Sequence, residues 1–198
     1  MNNKTEIDYK KYKWFFTSSS KLVVGGKSSQ QNDELIKELK ETKQDFLVMH
    51  TSTPGSPFSV ILEDIKKISP QDVEEVAIFT ACFSRAWRDK KQKAVIDIFS
   101  LAQLYKSQKM KPGTWGVRGL VRKKTASLEL ALTKQKNILR AVPLQTIKNK
   151  KDIILKIRPG KVDKTEMLPK LQVEMSDHFS QDELLQALPA GGLSIVRK

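Results

Sequence analysis

Short apolar runs separated by turn residues fill the first part of the chain, and their periods assign the elements. Residues 9–16 put Tyr12, Trp14 and Phe16 on one face of a first strand. Residues 17–21 turn the chain into a second strand, Leu22-Val23-Val24, so the opening reads as a hairpin. Gly25-Gly26 follows, where the backbone either takes positive φ or passes close to a neighbour. Ser28 or Ser29 can cap a helix from Gln31 to about Lys40, with Leu35, Ile36 and Leu39 at helical spacing. Residues 45–50 form a third strand around Phe46-Leu47-Val48-Met49, residues 51–57 a loop, and residues 58–62 a fourth strand.

Ser69-Pro70-Gln71-Asp72 is a helix start, with serine at the cap, proline in the first turn and acids next. The helix runs to about Arg88 and is apolar nearly all round, which predicts a central, buried position against a sheet. Residues 94–99 form a fifth strand, residues 101–107 a short helical or extended turn, and Pro112-Gly113-Thr114-Trp115 a turn. Residues 116–122 and 128–133 are extended, and residues 140–144 read as a strand. This order predicts an α+β fold, a mixed, mostly antiparallel sheet with two main helices covering one face. From residue 147 the texture changes to a charged link, a strand over 153–158, a turn at Pro159-Gly160, a capping box at Ser180–Glu183 opening a helix to Leu188, and a last strand over 191–196. The chain therefore divides into a domain over 1–146 and a small C-terminal strand/helix extension over 147–198.

Composition narrows the class. At 198 residues and 39% hydrophobic the chain can build one full core with an appendage. The single cysteine, Cys82, excludes an internal disulfide and a cysteine-based zinc site, and lies in an apolar run as a small buried hydrophobe. The first six residues have no apolar core, so no signal peptide is expected, and no run reaches the ~20 apolar residues of a membrane span. A cytoplasmic protein without membrane contact is expected.

Charge changes the picture most. The net charge is +14, and it is unevenly placed. Residues 1–84 hold 11 Lys and Arg against 12 Asp and Glu, whereas residues 85–170 hold 23 against 6. That density predicts a polyanionic partner bound in a salt-dependent way, nucleic acid before an anionic membrane surface.

Several pieces, in order, resemble a known family. Trp14-Phe15-Phe16-Thr17-Ser18, Val23-Val24-Gly25-Gly26-Lys27, Gln31-Asn32-Asp33-Glu34-Leu35 and Asp45–His50 followed by Pro54-Gly55-Ser56 are similar to the opening of the NFACT-R (DUF814) domain. The helix carrying Ala81–Trp87 and the turn Lys109-Met110-Lys111-Pro112-Gly113-Thr114 also match, so the resemblance covers about residues 10–146. It implies the RNA-binding part of ribosome-associated quality-control factors, which recruit tRNA and extend stalled nascent chains. Those factors carry large N-terminal domains. None precedes the resemblance here, so a stand-alone NFACT-R protein is expected and tail synthesis is not carried over. Where the family often has a second histidine and Arg-Asn, this chain has Pro57 and Lys27-Ser28.

The candidate nucleic-acid contacts follow. His50, at the end of a strand beside the Pro-Gly-Ser loop of Ser56, either meets a base or phosphate or holds the loop through backbone bonds. Lys27 with Gly25-Gly26 either faces a phosphate near the helix start or lies at a plain hairpin exit, and Gln31 and Asn32 either read base edges or cap the helix. Arg85 and Arg88 flank Trp87, which either stacks on a base or packs in the core. Lys106, Lys109, Lys111, Arg118, Arg122, Lys123 and Lys124, with Tyr105 and Trp115 among them, form the expected phosphate-contacting surface. The chain has no Gly-x-Ser-x-Gly, Walker loop or His-Glu-x-x-His, and His50 and His178 are its two histidines, so no enzyme, metal or cofactor is expected. The partner expected is tRNA or rRNA, with the ribosome itself, DNA bound by the same surface, and an adaptor role on ribosomal protein as alternatives. Oligomeric state is left open.

Overall fold

The computed structural model describes residues 7–175 and 179–196; His178 and the first six residues lie outside them. After a 3-10 turn at Tyr9–Lys11 the chain runs β1 (Lys13–Phe16), β2 (Leu22–Gly25), α1 (Ser29–Glu41), β3 (Leu47–Thr51), β4 (Ser59–Ile61), α2 (Pro70–Cys82) and α3 (Arg85–Arg88). It continues through β5 (Lys93–Ser100), β6 (Leu104–Tyr105), β7 (Gly116–Val117), β8 (Arg122–Ser127), β9 (Leu130–Gln135) and β10 (Ile138–Val142). It closes with β11 (Leu155–Asp163), α4 (Lys164–Glu174), α5 (Gln181–Ala187) and β12 (Gly192–Val196). The fold is α+β, and among the described residues every strand pairing is antiparallel.

The main sheet has the order β1-β2-β4-β3-β5-β8. Both of its faces are apolar, so side-chain alternation sorts its residues into two cores. Trp14, Val24, Val48, Val60 and Phe99 pack with Leu35, Ile36 and Leu39 of α1. Their neighbours Phe15, Val23, Met49, Ile61 and Ile98 pack with Val76, Phe79 and Cys82 of α2. The two helices therefore lie on opposite faces, where the sequence pattern placed them on one. The reason is that β1–β5 are apolar on both sides, which a period-of-two reading of short runs cannot resolve. Trp87 is fully buried and donates from Nε1 to the Gly192 carbonyl at 2.9 Å, which makes it a core residue rather than a stacking platform.

α2 is central and buried as expected, but it stops at Cys82 instead of reaching Arg88. Ser84 restarts the chain as a new N-cap, accepting from the Ala86 N–H at 3.1 Å, while the Arg85 N–H donates to the Gly55 carbonyl at 2.7 Å. That break anchors the 52–57 loop against α3.

The second sheet, β10-β9-β11-β12, takes two strands from each side of residue 146. Pro159-Gly160 is not a turn. It lies inside β11 as a bulge, with the register shifting between Pro159 and Val162. A Cβ at Gly160 would collide with Leu193 and Ser194 of β12, so this glycine serves close strand approach. α4 is an element the periodicity does not predict, since Pro169 sits in its interior. Among the described residues no helix is long and apolar enough to cross a membrane.

One buried ion pair closes the β1–β2 hairpin onto α2. Asp72 is inaccessible to solvent; it accepts from Lys21 Nζ at 2.8 Å, from Ser19 Oγ at 2.5 Å and from Ser69 N–H at 2.9 Å in a capping box. Burial alone would raise its pKa, but Lys21 and the surrounding hydroxyls hold it well below the usual carboxylate range. A depressed carboxyl pKa stabilises the fold above its unfolded value and loses that contribution as pH falls below it. Asp72→Asn is therefore expected to lower the stability measured by urea unfolding by about 3 kcal/mol at pH 7. The difference from the parent chain should hold down to about pH 4 and shrink below it. A pH-independent difference would show that the charge of Asp72 contributes nothing.

Candidate nucleic-acid interface

A cavity of about 850 Å³ opens where three loops converge on the first turn of α1. Its walls are Gly26–Ser29, the 50–58 loop, and the 112–115 turn, with Lys13 and Phe83 from below, Arg88 from α3, and Lys164, Leu188 and Ala190 from the C-terminal segment.

The gathering begins at Gly26. An ideal Cβ there would lie 2.6 Å from the Asn32 backbone nitrogen, so only glycine lets β2 pass so close to α1. Of the two conformational readings of Gly25-Gly26, close approach is the one observed. Ser28 caps α1 by accepting from the Gln31 N–H at 3.2 Å. Gln31 is engaged locally, accepting from the Lys27 N–H at 3.0 Å. Asn32 is buried; its Oδ1 accepts from the Phe58 N–H at 3.1 Å and its Nδ2 donates to the Ser56 carbonyl at 3.5 Å. Asp33, beside it, accepts from Lys106 Nζ at 3.0 Å, the Gly113 N–H at 2.9 Å and Trp115 Nε1–H at 2.7 Å. Burial would raise the Asp33 pKa, but these donors outweigh it and keep the carboxylate charged. Gly113 takes φ +76° and lies against Ser29, where a side chain has no room.

His50 lines the cavity half-buried, its ring 4.6 Å from that of Phe58. Nδ1 lies 2.7 Å from the Thr51 carbonyl; a carbonyl only accepts, so this nitrogen carries the ring proton. Burial lowers the His50 pKa, against smaller opposing effects from Thr51, Asp97 and Ser56, so the ring is neutral at pH 7. His50, Asp97 and Lys123 are cross-strand neighbours on β3, β5 and β8. Lys123 Nζ contacts Asp97 Oδ1 at 2.7 Å, and the same oxygen accepts from Ser52 Oγ at 2.5 Å, which fixes the start of the 52–57 loop.

Of the residues predicted from sequence, Lys27, Asn32, His50, Ser56 and Arg88 line this cavity together. Arg85 is exposed behind the loop, with its Cβ beside Gly55. Lys106 is bound into the structure, donating to Asp33 and to the Lys111 and Thr114 carbonyls at 3.0 and 2.9 Å. Lys109 and Lys111 are exposed on the same loop. Arg118 stacks on Tyr105 with 4.6 Å to the ring centroid. Arg122, Lys123 and Lys124 lie on β8, an edge strand, where charge also discourages pairing with another chain. Lys124 pairs with Glu74 of α2 at 2.5 Å. Sequence reasoning missed Asp33, Asp97, Lys13 and Lys164. A lysine inside the aromatic run Tyr12-Lys13-Trp14-Phe15 was a readable signal; for Lys164 there was none.

Asp33→Ala removes the acceptor of three donors, so hydrogen exchange at the Gly113 amide and Trp115 indole should speed up by at least about tenfold. The Phe58 amide, held by Asn32, should stay protected. Unchanged exchange at Gly113 would show that Asp33 does not hold the turn.

The solved structure of the C-terminal part of the fibronectin/fibrinogen-binding protein from Streptococcus suis superposes with a TM-score of 0.52 at 24% identity, over 60% of this chain and 45% of that one, and shares the fold. The archaeal Rqc2 homolog aRqcH of Methanocaldococcus jannaschii is 29% identical over 202 residues, covering 96% of this chain. The ribosome quality control complex subunit NEMF of Homo sapiens is 31% identical over 80 residues, covering 40% of this chain. The chain spans 29% of the length of the archaeal protein and 7% of the human one. The model of the NFACT protein RNA binding domain matches residues 11–119, which include all three walls drawn together by α1. The chain thus belongs to the NFACT-R family.

Proposed function

We propose that this chain binds RNA, either tRNA or rRNA, through the cavity at the first turn of α1, and that it does so in ribosome quality control in the cytoplasm. The observation that carries the reading is the charge of the cavity. Lys13, Lys27, Arg88 and Lys164 line it, and among the described residues Asp97 is the one lining carboxylate, itself paired with Lys123. An excess of cations over carboxylates around a recess with aromatic and amide groups is the chemistry of a phosphate-bearing strand. The archaeal and human relatives, named for Rqc2 and for the ribosome quality control complex, support the setting.

Two groups with catalytic potential are held in place or suppressed, which supports binding. His50 directs a proton to the Thr51 carbonyl, and the buried Cys82 has its thiol pKa pushed up by burial, which suppresses the nucleophilic thiolate. In this reading the chain acts as a binding module without a reaction of its own. The basic residues of β8 and the Lys109–Lys111 loop extend the positive field around the mouth and speed encounter.

Filter binding of a structured RNA over a salt series tests the reading. Affinity should fall linearly on logarithmic axes, and Lys27→Ala should reduce the slope by roughly 0.7 to 1 while weakening all RNA sequences alike. Competition with DNA of the same sequence should leave most RNA bound. A flat salt response, or equal displacement by DNA, would contradict RNA as the partner.

A further inference from the structure

The Lys13 end of the cavity has a feature that general RNA attraction does not need. Lys13 projects from β1 into the recess, half-buried, its ammonium 4.7 Å from the Phe83 ring centroid and donating to the Gln186 carbonyl at 3.4 Å. Lys164, at the start of α4, donates to the neighbouring Leu185 carbonyl at 3.2 Å. The C-terminal end of α5 thus holds two ammonium groups with neutral carbonyls. Among the described residues neither of them, nor Lys27, lies within ion-pair distance of a carboxylate. Arg140 stands behind them, its guanidinium 4.4 Å from the Trp14 ring and its Nε buried without a hydrogen-bond partner. Burial first, then the like charges of Lys164, Lys27 and Arg140, bring Lys13 down to about 8. A recessed cluster of like charges costs stability unless an anion completes it.

We propose that this cluster is a phosphate seat for one unpaired nucleotide of the RNA, with the phosphate between Lys13, Lys27 and Lys164 and the nucleoside directed toward the His50 and Trp115 end of the cavity. The inference rests on the RNA-binding reading and sharpens it. The volume, about 850 Å³, is in the range of sites that enclose a small ligand. Recess decides between strand types. A duplex presents its phosphates on a stiff convex surface, whereas a single strand can bend one phosphate into a pocket and leave its base free to stack. The seat also gives the C-terminal segment a task, since Lys164 lies outside residues 11–119, which the family model matches.

The test compares a single-stranded RNA 12-mer, its perfect duplex and inorganic phosphate, against Lys13→Met and Lys164→Met. Methionine keeps the apolar stem over Phe83 and removes the charge. Lys161→Met, which lines a separate cavity of about 880 Å³ with Lys90 and Arg158, is the control. Each seat variant is expected to weaken single-strand binding by about tenfold and duplex binding by far less, with Lys161→Met unchanged. In the parent chain, inorganic phosphate should raise the titration midpoint of the isotope-labelled Lys13 ammonium followed by NMR, a readout that needs no RNA. Equal losses on single strand and duplex, with RNA binding intact, would overturn the seat alone. So would a Lys13 midpoint unmoved by phosphate. Failure to bind any RNA would overturn the functional reading together with it.

Discussion

Two adjacent side chains on the first turn of α1 hold the candidate site together. Asn32 faces inward and fixes the 56–58 segment through Phe58 and Ser56; Asp33, one residue on, fixes the 106–115 segment through Lys106, Gly113 and Trp115. A helix rotates successive side chains by about 100°, so neighbours in sequence can reach loops far apart in the chain. Gly26 makes this possible, because any larger residue would push α1 away from β2. The cavity is the space those tethers leave between the loops.

This arrangement explains which parts of the molecule sequence reasoning reaches. The caps at Ser28, Ser69 and Ser180 are local hydrogen-bond patterns, and each forms where its residues predict. The α+β class follows from the order of apolar runs. The placement of α1 and α2 on opposite faces does not, because strands such as Leu47–Thr51 are buried on both sides and give no alternation to read. The end of α2 depends on Ser84 and on the Gly55 carbonyl thirty residues away in sequence, a tertiary partner that no local pattern reveals. α4 was hidden by Pro169.

The site was legible in the same uneven way. Lys27, Asn32, His50, Ser56 and Arg88 do converge, because the ordered motif pieces marked the loops that meet. The lysine-rich half does not act as one field. Basic residues were counted as one field, yet Lys106, Lys123 and Lys124 are engaged by Asp33, Asp97 and Glu74, so part of the charge there organises the protein's own loops and sheet edge. The cations lining the recess come from both parts, Lys13 and Lys27 from the nearly neutral N-terminal part and Arg88 and Lys164 from the basic segment. Net charge by segment measures long-range attraction; it does not say which ammonium groups are free to meet a ligand.

In the proposed reading RNA lies in the cavity where α1 gathers the three loops. Ultraviolet crosslinking of the chain to bound RNA, with the adducts mapped to peptides by mass spectrometry, locates the bound strand. Adducts should concentrate on the Gly26–Ser29, 50–58 and 112–115 segments. Adducts confined to the separate cavity around Lys90, Arg158 and Lys161, with those three segments clean, would contradict it.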